Sequence, residues 1–165
     1  MVFARRALPE DAPEVLRLRQ VMIDAVRPGP PPGVRAGTPE WHAEALEPLR
    51  RRLADKDGDF AAFVVDHPDR PGALASLAAG QIEYRIGGAD NPHGLNGYVF
   101  SVATDPAARR RGYSRACMEA VISWFREQGC GRVDLNASAE GEPLYASLGF
   151  VRKPDPSMRL PLRSA

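Results

Sequence analysis

Apolar residues recur along this chain at two periods, and each switch between them marks a boundary between elements. VFARRA (2–7) is short and predicts a strand. Within 8–26, Val15, Leu18, Met22 and Val26 follow at helical spacing. Asp11 with Glu14 three residues on, and Pro13 in the first turn, predict where that helix begins. RPGPPPGVRAGTP (27–39) can propagate neither regular structure, because proline lacks an amide donor and glycine adds chain freedom. It predicts a loop rather than a domain linker. Thr38 then caps a second helix with Pro39 in its first turn, and Trp41, Ala45, Leu49 and Leu53 share one face.

After that helix the pattern shortens. DFAAFVVD (59–66) and ALASLAAGQIEYRI (73–86) predict strands joined by the turn-forming HPDRPG. GGADNPHG (87–94) is a loop, and NGYVFSVAT (96–104) is a nearly continuous apolar strand stopped by Asp105-Pro106. A helix follows over Ser114–Gln128, with Cys117, Val121 and Trp124 on one side and Gly129 at its C-terminal cap. GRVDLNAS (131–138) predicts a strand, EGEPLYASLG (140–149) a short helix, and FVRK (150–153) and SMRLPL (157–162) two terminal strands. The order predicts one domain over 1–165, an α/β (α+β) sheet with helices on both faces.

Charge narrows the function. The 165 residues carry 22 basic and 21 acidic side chains, a net charge of +1, so no global field favours nucleic acid or an anionic membrane. Any basic patch must act locally. Cys117 and Cys130 form no CxxC pair and suit reduced, packing thiols. His42, His67 and His93 have no companions at metal-ligand spacing, so no metal is expected. With no signal-peptide core and no apolar run long enough to span a bilayer, the expected setting is cytoplasmic.

The chemistry concentrates in DPAARRRGYSRA (105–116). A strand ending in Thr104-Asp105-Pro106 feeds a turn whose amides meet the start of a helix. Those first amides lack internal partners and sit at the positive end of the helix dipole. Phosphate suits that geometry, Gly112 permits close approach, and the arginines can add charge-assisted contacts. Taken alone, the same run also fits a solvated helix face.

Its setting favours the phosphate site. VATDPAARRRGYSRACMEAVISWF (102–125) resembles the acetyl-CoA-binding motif of the GNAT superfamily of N-acetyltransferases, whose core is Arg or Gln, two residues, Gly, one residue, then Gly or Ala. Here that core is Arg109 to Ser114, with Ser114 in place of the small residue. Downstream, LNASAEGEPLYASLGF (135–150) resembles the family's strand–helix–strand segment ending in Leu-Tyr-x-x-Leu-Gly-Phe. Both motifs stand in the family's order, across roughly the C-terminal half.

The resemblance implies a mixed, mostly antiparallel sheet of six to seven strands, splayed between the fourth and fifth. Acetyl-CoA would lie in the gap as co-substrate. Its pantetheine arm would pair with the backbone of Val102, Ala103 and Thr104. Arg109, Arg110, Arg111, Gly112, Tyr113, Ser114 and Arg115 would surround the diphosphate. Tyr145 matches the family's general acid. Asn136 is placed either to bond the pantetheine arm or to cap its strand. Glu83 is a candidate base, directly or through water, and also fits a solvent-facing carboxylate. Ser101 borders the same cleft, and backbone carbonyls with ordered water could do the base's work. The implied activity is acetyl transfer to a primary amine of an unidentified acceptor. The alternative is a non-catalytic acyl-CoA-binding module of the same fold.

Overall fold

A computed structural model describes residues 2–26 and 41–162. In chain order the elements are β1 (Arg5–Arg6), α1 (Ala12–Val26), α2 (Trp41–Ala54), β2 (Phe60–Asp66), β3 (Leu74–Tyr84), β4 (Leu95–Thr104), α3 (Tyr113–Glu127), β5 (Arg132–Leu135) and α4 (Glu142–Ser147). The strands pair in sequence order, β1-β2-β3-β4-β5. The first four are antiparallel, and β5 runs parallel to β4 because α3 carries the chain back between them.

Among the described residues the sheet therefore has five strands, not six or seven. FVRK and SMRLPL form no strand. Pro154, Pro156 and Pro161 remove amide donors from this segment, and a strand exists only where an edge pairs with it. Met158, Leu160 and Leu162 remain exposed there. At the other end the helical start differs from expectation. Asp11 lies in a short 3-10 turn (Pro9–Asp11), and its carboxylate accepts from the Leu8 amide and from Arg5. Glu14 reaches instead across to the Leu74 amide at 2.8 Å. The expected cap at Thr38-Pro39 lies outside the described residues. No helix among the described residues is long and apolar enough to cross a membrane.

Two apolar layers flank the sheet. On one face α1 and α2 pack Val15, Leu18 and Leu53 against Val64, Leu77 and Ala103. On the other, α3 packs Cys117, Met118, Val121, Trp124 and Phe125 against Ala61, Ala78 and Val99, with Tyr145 of α4 joining that layer. Residues Leu74–Gly80 of β3 are buried on both faces, which explains their unbroken apolar run.

Helix α3 sits close because two strand positions lack side chains. A Cβ at Gly80 would come within 2.6 Å of the Phe125 ring, and one at Gly97 within 2.7–2.8 Å of three of its atoms. Gly97→Ala should therefore cost about 1–3 kcal/mol, since the ring must leave its rotamer or the helix must lift. Urea unfolding would register this as a lower midpoint with an unchanged slope. An unchanged midpoint would mean the ring shifts freely.

The β4–β5 ladder runs from Asn96–Arg132 to Val99–Leu135 and stops, while β4 continues to Thr104. Among the described residues, its last positions have no strand neighbour on that side. Opposite, the β3–β4 register slips between Leu77 and Ala79, so Ser101 and Val102 share one partner position. Ser101 takes up the extra length with φ +53, a bulge in the strand just where β5 leaves it.

Candidate functional site

Beyond Thr104, the chain turns on Asp105. Its carboxylate is buried and accepts from the Ala107 amide at 2.9 Å, capping a 3-10 turn over Pro106–Ala108. It also accepts from Arg17 of α1 at 2.8 Å and from Arg70 of the β2–β3 turn. Burial alone would push the Asp105 carboxyl up. The Ala107 amide and the two guanidiniums outweigh that and hold it below the usual carboxylate value. Arg17 in turn bonds Glu14 and the Leu74 carbonyl, so the loop after β4 is tied to two other elements.

What this anchor holds is a run of unused amides. From Arg109 to Arg115, no backbone N–H bonds another group among the described residues. Arg110 (φ +61) and Gly112 (φ +79) both adopt left-handed backbone. Arg109 is extended, so the loop reaches the N-terminus of the fifteen-residue helix α3 through two left-handed residues, a backbone of the kind that forms anion-binding concavities, or nests. A Cβ at Gly112 would meet nothing within 4 Å, so the space above the loop is open. The donor set fits a diphosphate.

The arginines do not act alike. Arg109 and Arg110 are exposed and have no carboxylate partner among the described residues, whereas Arg111 lies 3.6 Å from Asp69. Arg115 donates to Ser147 of α4 at 2.5 Å, linking the start of α3 to the helix that carries Tyr145. Ser114 points the other way. Its hydroxyl is 2.7 Å from that of Thr104, which is 2.9 Å from Ser76, whose hydroxyl donates to the Ala103 carbonyl. The departure from a small residue is thus absorbed by a hydroxyl chain under the loop. Ser114→Ala should cost about 0.5–1.5 kcal/mol in thermal unfolding. Anion affinity should stay within about threefold, and a tenfold loss would place the hydroxyl on the ligand instead.

Tyr145 is 8% exposed and packs edge-on to Phe150 at 6.1 Å. Gly141 leaves room for its ring, since a Cβ there would come within 2.9 Å of it. Its hydroxyl has no hydrogen-bond partner among the described residues, and Tyr145 lines, with Asn136, a cavity of about 1060 Å³. Burial raises the phenol pKa, so it stays protonated and able to donate. The cavity runs along β5 and α4, and loop 109–115 is not part of its wall. The Arg115–Ser147 bond is the link between the two concave features.

Glu83 lies elsewhere. It pairs in register with Asn96, five positions before Ser101, or roughly 16 Å along the strand. It ion-pairs with Arg85 at 3.2 Å. The structure brings it to neither Tyr145 nor the nest. Cys117 is fully buried, and burial pushes its thiol up to about 12, so it stays an inert core residue. Sequence reasoning missed the roles of Arg17, Arg70 and Asp105 as anchors. Their spacing of 35 and 88 residues carries no local signal.

Residues 22–150 match the family described as Acetyltransferase (GNAT). The chain belongs to that family. Glucosamine 6-phosphate N-acetyltransferase 1 of Oryza sativa subsp. japonica is 27% identical over 150 residues, covering 91% of this chain and 83% of its own. Among solved structures, a predicted acetyltransferase with acetyl-CoA from Clostridium acetobutylicum superposes with TM-score 0.77 at 19% identity, over 98% of this chain and 97% of that one. Glucosamine-6-phosphate N-acetyltransferase from Arabidopsis thaliana superposes with TM-score 0.70 at 18% identity, over 99% of each. At these identities the structures speak for the fold. The five-stranded mixed sheet flanked by helices is thus a GNAT fold, and the protein is an acetyltransferase by family.

Proposed function

We propose that this GNAT protein transfers an acetyl group from acetyl-CoA to a primary amine by direct attack. The observation that carries the reading is the nest of unused amides from Arg109 to Arg115 at the start of α3. Family membership makes acetyl-CoA the co-substrate, and the nest suits its diphosphate. The unpaired edge of Val102, Ala103 and Thr104 suits the pantetheine arm as an added strand. Asn136 lies at the end of β5, beside the path of that arm. The two free thiols suit a reducing compartment, and we place the enzyme in the cytoplasm.

The amine lone pair attacks the thioester carbonyl carbon, a C–N bond forms, and the C–S bond then breaks. The departing thiolate takes the proton of the Tyr145 hydroxyl. The amine, with an ordinary pKa near 10, must arrive neutral or lose its proton on the way. Water takes that proton and the one the nitrogen sheds after attack, and solvent returns a proton to the Tyr145 oxygen; Glu83, paired with Arg85 several residues down the strand, takes part only through such water.

The experiment is calorimetric binding of acetyl-CoA, with desulfo-CoA and ATP as controls, followed by thiol release with a panel of amines. Glucosamine 6-phosphate is the first amine to try, from the name of the rice relative. Saturable binding with amine-dependent thiol release is expected. Binding without release under every amine would favour an acyl-CoA-binding module, and no binding would remove the reading.

A further inference from the structure

Arg19 stands apart from the other arginines of its neighbourhood. Arg5 bonds Asp11 and Asp66, and Arg17 bonds Glu14 and Asp105. Arg19 has no carboxylate within 4 Å among the described residues; its one hydrogen bond runs from Nη1 to the Ser101 hydroxyl at 2.6 Å. Nor is it a solvated side chain on the outer helix face. It follows Val15 by four residues and precedes Met22 by three, and both pack into the core layer beneath α1. Arg19 is half-buried, and its Nη1 reaches Ser101 on the sheet. A cation so placed calls for an anion.

The place it points to matters. Ser101 is the left-handed bulge residue of β4, 8% exposed, at the level where β5 departs. On the acetyltransferase reading, on which this inference rests, the thioester lies beside that bulge. Tyr145 belongs to the α3–α4 layer, so the opposite, α1-side face remains for the amine to approach. Half-buried Tyr98 and Phe100 stack on that face, with ring centroids 6.4 Å apart. The loop amides and exposed arginines that serve the diphosphate lie past the end of β4, beyond the bulge. Arg19 is therefore a separate cation on the acceptor side. It also precedes residues 22–150, the part of the chain that matches the family.

We propose that Arg19 anchors an oxyanion, a phosphate or a carboxylate, on the amine acceptor. With Nη1 on Ser101, its Nε and Nη2 remain as a fork that suits two oxygens of one such group. The acceptor is then an amine that carries its own anion, such as an amino sugar phosphate or an amino acid. The same charge disfavours a protonated amine beside it and so selects the neutral nucleophile.

The test uses the full-length protein saturated with desulfo-CoA, so that the diphosphate nest is filled and no transfer occurs. Glucosamine 6-phosphate is titrated against glucosamine, and serine against serinamide, in the wild type, Arg19→Gln, Arg19→Lys and Ser101→Ala. One charged member should bind at least about tenfold tighter than its neutral partner, and which pair shows it separates phosphate from carboxylate. Arg19→Gln should erase that ratio and leave the neutral member within about twofold, whereas Arg19→Lys and Ser101→Ala should keep part of it. Equal binding of charged and neutral members in the wild type overturns the proposal, as does no binding of either pair. A ratio that survives Arg19→Gln overturns it too. If Arg19→Gln weakens both members alike, Arg19 only props the bulge. Failure of desulfo-CoA to bind, measured first, removes the acetyltransferase reading itself.

Discussion

Tyr145→Phe should lower kcat about 100-fold while the acetyl-CoA Kd moves less than about twofold. The loss stands at the lower end of what general acids contribute, because a thiol with pKa near 8.5 leaves moderately well unaided. The substitution removes one hydroxyl and nothing else. That hydroxyl bonds no protein group among the described residues, and phenylalanine keeps the edge contact with Phe150. Stability should therefore hardly change, and lost turnover could not be blamed on lost fold. Burial keeps the phenol above its ordinary pKa of 10, so any alkaline fall in kcat from this group should have its midpoint above pH 10. An unchanged kcat in the variant, measured under saturating acetyl-CoA, would remove Tyr145 from the mechanism.

Asp105→Ala should weaken acetyl-CoA binding at least about tenfold and cost about 2–3 kcal/mol of stability. The cap to Ala107 accounts for about 1 kcal/mol. The two ion pairs add less than a buried pair would, because Arg17 and Arg70 are both partly exposed and can return to water. The larger effect is on the loop. Without the carboxylate the turn before Arg109 loses its bonds to Arg17 and Arg70 and keeps the Asp105 amide bond to Ala75 and the Arg111–Asp69 contact, so part of the loop's order must be supplied on binding. The sign with pH follows from a folded pKa held below the unfolded one. The Asp105 contribution is complete above the ordinary carboxylate value of 3.8 and is lost as pH falls below it, through the folded value. Calorimetry of the variant beside unfolding curves at pH 7 and below pH 4 checks both halves. Wild-type affinity would show that the nest holds its shape without the anchor.

The two predictions differ in how visible their residues were beforehand. Tyr145 stood in a recognisable Leu-Tyr-x-x-Leu-Gly-Phe setting, and only its burial and free hydroxyl needed coordinates. Asp105 was legible merely as the residue that ends a strand before proline. Glu83 shows the opposite failure. Alternation along β3 placed it correctly on a face, yet the register put it near the strand's far end, against Arg85.

By itself the amino-acid order determined most local structure. The stripe of Cys117, Val121 and Trp124 and the glycine after it specify α3. Gly129 takes φ +79 there, and the Cys130 amide reaches back to the Phe125 carbonyl at 3.0 Å. The run into Gly112 likewise specified a tight turn into a helix, with Gly112 at φ +79 just before α3, because short-range sterics and helix ends are properties of neighbouring residues. Tertiary structure alone decided the rest. Ser101 is no glycine, and its left-handed bulge exists because β3 and β4 are held out of step on either side of it. The terminal strands expected at FVRK and SMRLPL did not form, since strand pattern is a local property and strand pairing is not. Arg19 looked like one polar residue among many on α1. Only the packing of α1 across β4, which brings residues 82 apart into contact, turned it toward the bulge.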